Sequence, residues 1–483
     1  MKTRMVLSIL TAAVLFLVLP LSAQVPDRSK PPVLGPPPAI KLPAIQKLTL
    51  SNGIPVIVFE KHSVPLMQMD LIIRAGSVNE SDDQLGLANL TAAMMREGAG
   101  GKSSLELAEA IDFLGVTIRC FTGPHVSVVS LSSTMSKFDE AYKLFSDIAL
   151  RPSFPAQELD RLRKERLTSL MQQYDQPTSI AAMAGAKLLF GEKHPYGRGA
   201  SGTEKTLKSF TIDDVKKFYS TYYRANNAAI VVVGDVKPAD IIQKLEKEFG
   251  SWTKGEIPEV KVKTADQVSD RVVYLIDKPD APQSVILISR IGAARMTDDY
   301  FPLIVMNSIL GGSFSSRLNI NLREKHGYTY GAYSRFEFRP VPGAFTASSS
   351  VQTAVTDKAM TEFMNELNGI LKPVSDDELQ RAKNLLALGY PNNFQGVGQI
   401  ASQLDDMVVY NLPDDYFNQY IQKVLAVTKD DVSRVTKKYI DPNALSIVVV
   451  GDRKTIEKGL KDLNLGTMKN MKIEDVLGKM PTL

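Results

Sequence analysis

Residues 211–235 read TIDDVKKFYSTYYRANNAAIVVVGD and residues 428–452 read TKDDVSRVTKKYIDPNALSIVVVGD. The two stretches align without a gap at an offset of 217 residues. Asp213-Asp214-Val215 falls on Asp430-Asp431-Val432, Tyr222 on Tyr439 and Asn226 on Asn443, and both copies end in Ile-Val-Val-Val-Gly-Asp. Each copy opens with an amphipathic helical pattern, passes through a turn and closes in a continuous apolar run, the signature of a buried strand. Identity at the helix start and in the strand together marks a duplicated unit. The chain is therefore expected to be two similar halves.

Working outward, Lys47–Leu50 and Ile54–Phe59 read as strands joined by the turn Ser51-Asn52-Gly53. Ser103-x-x-Glu106 is a capping box opening a helix with Leu107, Ile111 and Leu114 on one face, and Gly115 stops it. A hairpin turns at Gly123-Pro124. Phe138, Ala141, Phe145 and Ile148 mark a further helix, and Pro155 starts another with Leu159, Leu162 and Leu170 at helical spacing. Helices mixed with hairpins predict an α+β fold: two homologous domains, each a β-sheet with helices packed on one face. The expected boundaries are 45–250 and 270–470, a linker over 251–269 containing Lys254-Gly255-Glu256 and Pro258, and a tail over 471–483.

A chain of 483 residues exceeds one ordinary core. A hydrophobic content of 44% with 57 basic against 53 acidic residues describes a globular protein, and a net charge of +4 without a long basic run argues against nucleic acid as a partner. Cys120 is the only cysteine, so no intrachain disulfide is possible. Its place in the alternation Val116, Ile118, Cys120 suggests a small packed side chain more than a reactive thiol. At the N-terminus Lys2 and Arg4 precede the apolar run Met5–Leu19, then Pro20, Leu21, Ser22 and Ala23. Residues 1–23 are expected to be a signal peptide cleaved after Ala23. A retained anchor is the alternative, but the run is shorter than the roughly 20 residues of a spanning helix. The mature chain is thus expected to be exported, periplasmic or secreted, without a stable membrane span. Residues 24–44, with Pro36-Pro37-Pro38, form a proline-rich leader.

The second half contains the stretch with chemical promise, Gly311–Ser334, GGSFSSRLNINLREKHGYTYGAYS. Ser313 or Ser315 can cap a helix whose Leu318 and Leu322 lie one turn apart, with Arg323 near its end. Gly327 is placed to stop that helix in the left-handed conformation, and Tyr328–Tyr333 then turns extended. A cation on a helix end and the Tyr330 phenol on a strand can face one cleft. Periodicity alone leaves other readings open: Arg323 as a solvated surface cation, and Tyr330, in strand parity with Phe336 and Phe338, as a core aromatic.

Taken together, these features resemble the pitrilysin and insulinase (M16) family of zinc metallopeptidases, within it the short two-domain subfamily of mitochondrial processing peptidase and its bacterial relatives. The resemblance rests on Ala75-Gly76-Ser77 followed by Gly86-Leu87-Ala88, on His194-Pro195-Tyr196-Gly197, on the two Val-Val-Val-Gly-Asp strands and on the run LREKHGYTYG. It implies two domains facing each other across a cleft. An active member carries His-x-x-Glu-His on a helix of the first half, two ligands and a base one turn apart, and a further Glu downstream. Here Asn89 and Ala93 stand at the two His positions, Ala92 at the base, and the distal ligand position falls near Ser169. The only four histidines, His62, His125, His194 and His326, include no pair at i, i+4 spacing. No cofactor is therefore expected in this chain.

In the same family the second half contributes an Arg and a Tyr to the active site, and Arg323 and Tyr330 keep that spacing. The loop Gly311-Gly312-Ser313 resembles the glycine-rich loop of the processing peptidase's non-catalytic subunit, implicated in substrate handling; a plain turn into the helix explains it about as well. The resemblance implies a non-catalytic subunit that pairs, as a heterodimer, with a catalytic M16 peptidase bringing the zinc. This chain would supply Arg323 and Tyr330 for binding a peptide substrate and stabilising its transition state. The alternative is a purely structural or peptide-binding module.

Overall fold

The structure, a computed structural model, describes Gly35 and residues 42–482. The expected signal peptide over 1–23 and most of the proline-rich leader lie outside the described residues. Twelve strands of the described chain build two six-stranded sheets. The first contains β1 (Gln46–Thr49), β2 (Pro55–Glu60), β3 (Leu66–Ile73), β4 (Thr117–Thr122), β5 (Ser127–Thr134) and β6 (Ala228–Gly234), in the order β1-β2-β6-β3-β5-β4. The second contains β7 (Val272–Asp277), β8 (Gln283–Ile291), β9 (Thr329–Phe336), β10 (Ala344–Gln352), β11 (Ser446–Gly451) and β12 (Thr467–Met471), in the order β12-β7-β11-β8-β10-β9.

The duplicated segment occupies the same place in both. Thr211 and Thr428 cap the helices Ile212–Tyr222 and Lys429–Tyr439, each in a capping box closed by the aspartate three residues on. Each helix feeds a strand that is parallel to one neighbour and antiparallel to the other: β6 pairs with β2 and β3, β11 with β7 and β8. The halves differ at one edge, where β1 precedes β2 as an antiparallel hairpin while β12 follows as a parallel strand.

Both faces of each sheet are buried, which is why the repeated strands are apolar at every position. On the first sheet Val56, Val58, Met69, Leu71, Ile230 and Val232 face a core built with that half's own helices. The alternate residues Ile57, Phe59, Ile72, Val231 and Val233 face the helix Val397–Tyr410, which belongs to the second half of the sequence. Reciprocally, Ile447 and Val449 face the second half's own core, while Val448, Val450 and Ile276 meet the helix Pro177–Phe190 from the first half. That helix presents Ala181, Ala184 and Gly185, and a Cβ on Gly185 would come within 2.5 Å of Leu287 Cδ2. Small residues let it lie close against the sheet. To the expected helices on one face of each sheet, the structure thus adds one exchanged helix on the other.

From Leu42 on, the described residues form one compact unit. Residues 251–269 contain no helix or strand. Cys120 packs against the first core, and burial pushes its thiol up to about 12. Among the described residues no helix is long and apolar enough to cross a membrane.

Candidate functional site

The helix Leu87–Met94 carries the positions at which the M16 zinc motif would stand. Its start is fixed by Glu80, a buried carboxyl that accepts from the backbone N–H groups of Gly86 at 3.0 Å and Ala88 at 2.7 Å. Burial outweighs those bonds and pushes Glu80 up to about 7. Ala92 is buried and Ala93 half-buried, and neither has a ligating atom. Asn89 has one, but it is engaged: Arg166 Nη1 donates to Asn89 Oδ1 at 2.6 Å, and Nη2 to the Asn89 carbonyl at 3.2 Å. Arg166 comes from the helix Ala156–Gln173, on which Ser169 is exposed.

These residues do not fit a zinc ion. The one polar side chain at the motif positions of the 87–94 helix already accepts a hydrogen bond from a cation, and a guanidinium stays charged even where burial lowers its pKa, as it does for Arg166. Among the described residues no group of three or more His, Cys, Asp or Glu side chains could hold a metal ion. The histidines have other work. His194 Nδ1 accepts from the Tyr196 N–H at 3.0 Å, which leaves Nε2 to donate to the Lys263 carbonyl at 2.7 Å. His125 Nε2 lies 2.6 Å from the Tyr196 hydroxyl, and Arg339 of the second half sits over the Tyr196 ring at 4.3 Å. Burial, aided by Arg339, lowers His125 to about 4.

The Gly311–Ser334 stretch departs from the expected plain helix. Ser316, not Ser313 or Ser315, precedes the helical residues, which run Arg317–Asn319 and then widen into a π-helical turn over Ile320–Lys325. Gly327 does follow in the left-handed region at φ 64°. Ser313 Oγ instead donates to the Ser308 carbonyl at 3.0 Å. Gly311 and Gly312 are required by close approach: a Cβ on Gly311 would meet Ser334 N at 2.3 Å, and one on Gly312 would meet Asn307 Nδ2 at 2.6 Å. Asn307 in turn donates to the Ser334 carbonyl at 3.0 Å, so the glycine loop is fastened to β9, the strand that carries Tyr330.

Tyr330 is not a core aromatic. The β9–β10 register shifts between Thr329 and Ala332, and the hydroxyls of Thr329 and Ser349, 2.8 Å apart, hold this bulge by bonds to the Gly331 carbonyl at 3.0 and 2.8 Å. The bulge turns the phenol outward, 89% exposed, at a cavity of about 380 Å³ whose far wall is Thr178, Ala181 and Ala182 of the exchanged helix 177–190. Arg323 is not among that cavity's lining residues. Its guanidinium lies 4.6 Å from the ring of the exposed Phe314 and 3.3 Å from Glu324. The structure therefore ties Arg323 to the glycine loop and Tyr330 to the space between the halves, with no contact between the two recorded among the described residues.

Comparison with known proteins agrees with this geometry. Residues 56–185 match the family described as Insulinase (Peptidase family M16), and residues 209–386 match Peptidase M16 inactive domain. The chain belongs to the M16 peptidase family. It is similar to a Helicobacter pylori protein named non-peptidase homolog YmxG, 23% identical over 83% of this chain and 92% of that one. It is also similar to an uncharacterized zinc protease YmxG of Bacillus subtilis, 26% identical over 60% of this chain and 69% of that one. Among solved structures, the peptidase M16 inactive domain from Pseudomonas fluorescens superposes with a TM-score of 0.78 at 27% identity, covering 84% of this chain and 98% of that one. Among the described residues, this member of the family has no set of side chains that fits a zinc site.

Proposed function

We propose that this protein is the non-catalytic subunit of a two-chain M16 zinc endopeptidase. The partner contributes the zinc, its ligands and the base; this chain closes the cleft and offers Tyr330 and Arg323 to a bound peptide. The observation that carries the reading is the Arg166–Asn89 pair, which puts a fixed cation where a metal ligand would be and leaves the second half's tyrosine without a metal in its own chain. Support for a role in trans comes from the exposure of Tyr330 on a built bulge, since a merely structural aromatic would be packed. The apolar run Met5–Leu19 behind Lys2 and Arg4 supports placing the pair outside the cytoplasm, periplasmic or secreted.

The name of the Helicobacter pylori relative, a non-peptidase homolog, favours a second reading, a purely structural or peptide-binding module with no part in catalysis. Reconstitution separates them. The purified chain is mixed with an M16 chain from the same genome that carries an intact His-x-x-Glu-His. The proposal expects a stable complex and chelator-sensitive peptidase activity above that of either chain alone. A complex without any gain in activity, or no complex, leaves the module reading.

A further inference from the structure

After β12 the chain crosses back to the first half. Residues 473–482, IEDVLGKMPT, form a single helical turn over Ile473–Leu477 and then continue without helix or strand, bending at Lys479. Val476 is buried against Ile180, Ala181 and Ala184 of the exchanged helix, with Ile473 and Leu477 packed beside it. The segment forms one wall of a cavity of about 640 Å³, whose other walls include Leu170, Met183, Ala186 and Arg198. Ala182 lines both this cavity and the one at Tyr330.

What holds the segment is almost wholly main chain. Tyr174 Oη lies 2.6 Å from the Gly478 carbonyl, 2.7 Å from that of Lys479 and 3.2 Å from that of Leu477, so its proton has three acceptors. Lys187 Nζ donates to the carbonyls of Val476 at 3.3 Å and Asp475 at 3.4 Å. The carbonyls of Asp475, Val476 and Leu477, in the last turn of the helix, and those of Gly478 and Lys479 just beyond it thus face Lys187 or the Tyr174 hydroxyl. Gly478, at φ 79°, turns the chain out of the helix. Further on, Glu204 Oε1 accepts from the Thr482 N–H at 3.1 Å and from its hydroxyl at 2.9 Å. Of the side chains, only the apolar anchors and this hydroxyl are read.

We propose that this groove, walled by Tyr174, Lys187 and Glu204, is a peptide-binding site that recognises main chain, and that the chain fills it with its own 473–482 segment. The class of ligand follows from the contacts: an apolar helical turn, ended by a glycine and followed by a short irregular stretch. Such a peptide takes the place of the segment when the segment swings out. The inference needs no catalytic partner and stands or falls separately from the pairing above.

The test uses the full chain carrying Val476→Asp, which puts a charge on the buried anchor and leaves the groove intact. Hydrogen exchange of the 473–482 amides is expected to accelerate at least ~10-fold while the two sheets stay protected, as expected for local opening. A fluorescein-labelled peptide of sequence IEDVLGKMPT should then bind this variant saturably, one per chain, and bind the unmodified chain at least ~10-fold more weakly, because the tethered segment competes. A second peptide that keeps the apolar positions and the glycine but changes every charged residue should bind within about tenfold of the first, a difference of about 1.4 kcal/mol. Fast exchange without peptide binding overturns the proposal, as does binding of the first peptide alone. If Val476→Asp does not fold, Tyr174→Phe in the full chain replaces it. That variant removes only the hydroxyl, and unchanged exchange of 473–482 in it overturns the proposal as well.

Discussion

Arg166 and Asn89 are joined side chain to side chain at 2.6 Å across two helices, and Arg166 also holds the Asn89 carbonyl at 3.2 Å. The loss of the zinc site is therefore a rebuilt contact and not only a set of missing ligands. A guanidinium and a zinc dication about 4 Å apart repel by on the order of 8 kcal/mol at an effective dielectric of about 20.

Restoring the motif alone is thus expected to fail. The variant Asn89→His, Ala92→Glu, Ala93→His, Ser169→Glu should contain no stoichiometric zinc while Arg166 remains, and should take up zinc only when Arg166→Ala is added. Elemental analysis of both purified variants decides this. Arg166→Ala in the otherwise unmodified chain should cost about 1–3 kcal/mol in denaturant melts, because it leaves the Asn89 amide oxygen without its donor.

The exchanged helices make the two halves one folding unit. Leu404, 1% exposed on the helix 397–410, packs against the first sheet. Leu404→Ala is expected to cost about 2–5 kcal/mol. The only tryptophan, Trp252, lies in the linker and packs against the first core. Its fluorescence should report the loss at the same denaturant concentration as far-UV circular dichroism. Two separated transitions would show that the halves unfold independently.

The acid side of the stability curve contains an opposed pair. His125 titrates near 4 in the folded chain, below its ordinary value of 6.5, because burial disfavours the charged ring. Between those values the unfolded chain binds the extra proton, so this group makes stability rise with pH from about 4 to about 6.5, by on the order of 2–3 kcal/mol. Asp405, on the exchanged helix 397–410, lies near Asp70 of β3, and burial, then the Asp70 charge, raise it well above the usual carboxylate range. Its contribution is complete below the ordinary carboxylate pKa and is lost as pH rises through the raised one. His125→Gln should flatten the acid limb of melting temperature against pH. Asp405→Asn, which removes the titrating group at nearly the same size, should flatten the decline toward alkaline pH.

Tyr330→Phe should lower turnover of the reconstituted pair by about 10²–10³, the usual consequence of losing one donor to a developing oxyanion, and leave folding and partner affinity unchanged. Arg323→Ala should raise KM more than it lowers kcat. Steady-state kinetics with thermal melts as control measure both.

The duplication was legible because buried parallel strands need an apolar residue at every position, and IVVVGD supplies that twice. The exchange of helices was not, since amphipathicity says that a face is buried but not against which sheet. Pro177–Phe190 did carry a signal: a helix with small apolar residues all round lies between two surfaces. Arg166 was hidden in the charged run RLRKER at 161–166, which reads as a solvated face. Yet it falls on the stripe of Leu159, Leu162 and Leu170, and a cation at an apolar position is the mark of a partner across the interface. The bulge at Tyr330 depends on Ser349 of the neighbouring strand, twenty positions from Thr329, so local periodicity left a core position open for a phenol that lies outside.

This M16 chain is expected to hold no zinc of its own. The decisive measurement is the metal content of the purified chain after equilibration with excess zinc and removal of free metal, read beside a peptidase assay of the same sample. The expected result is no stoichiometric zinc and no chelator-sensitive cleavage. One zinc per chain with chelator-sensitive hydrolysis by the chain alone would contradict it.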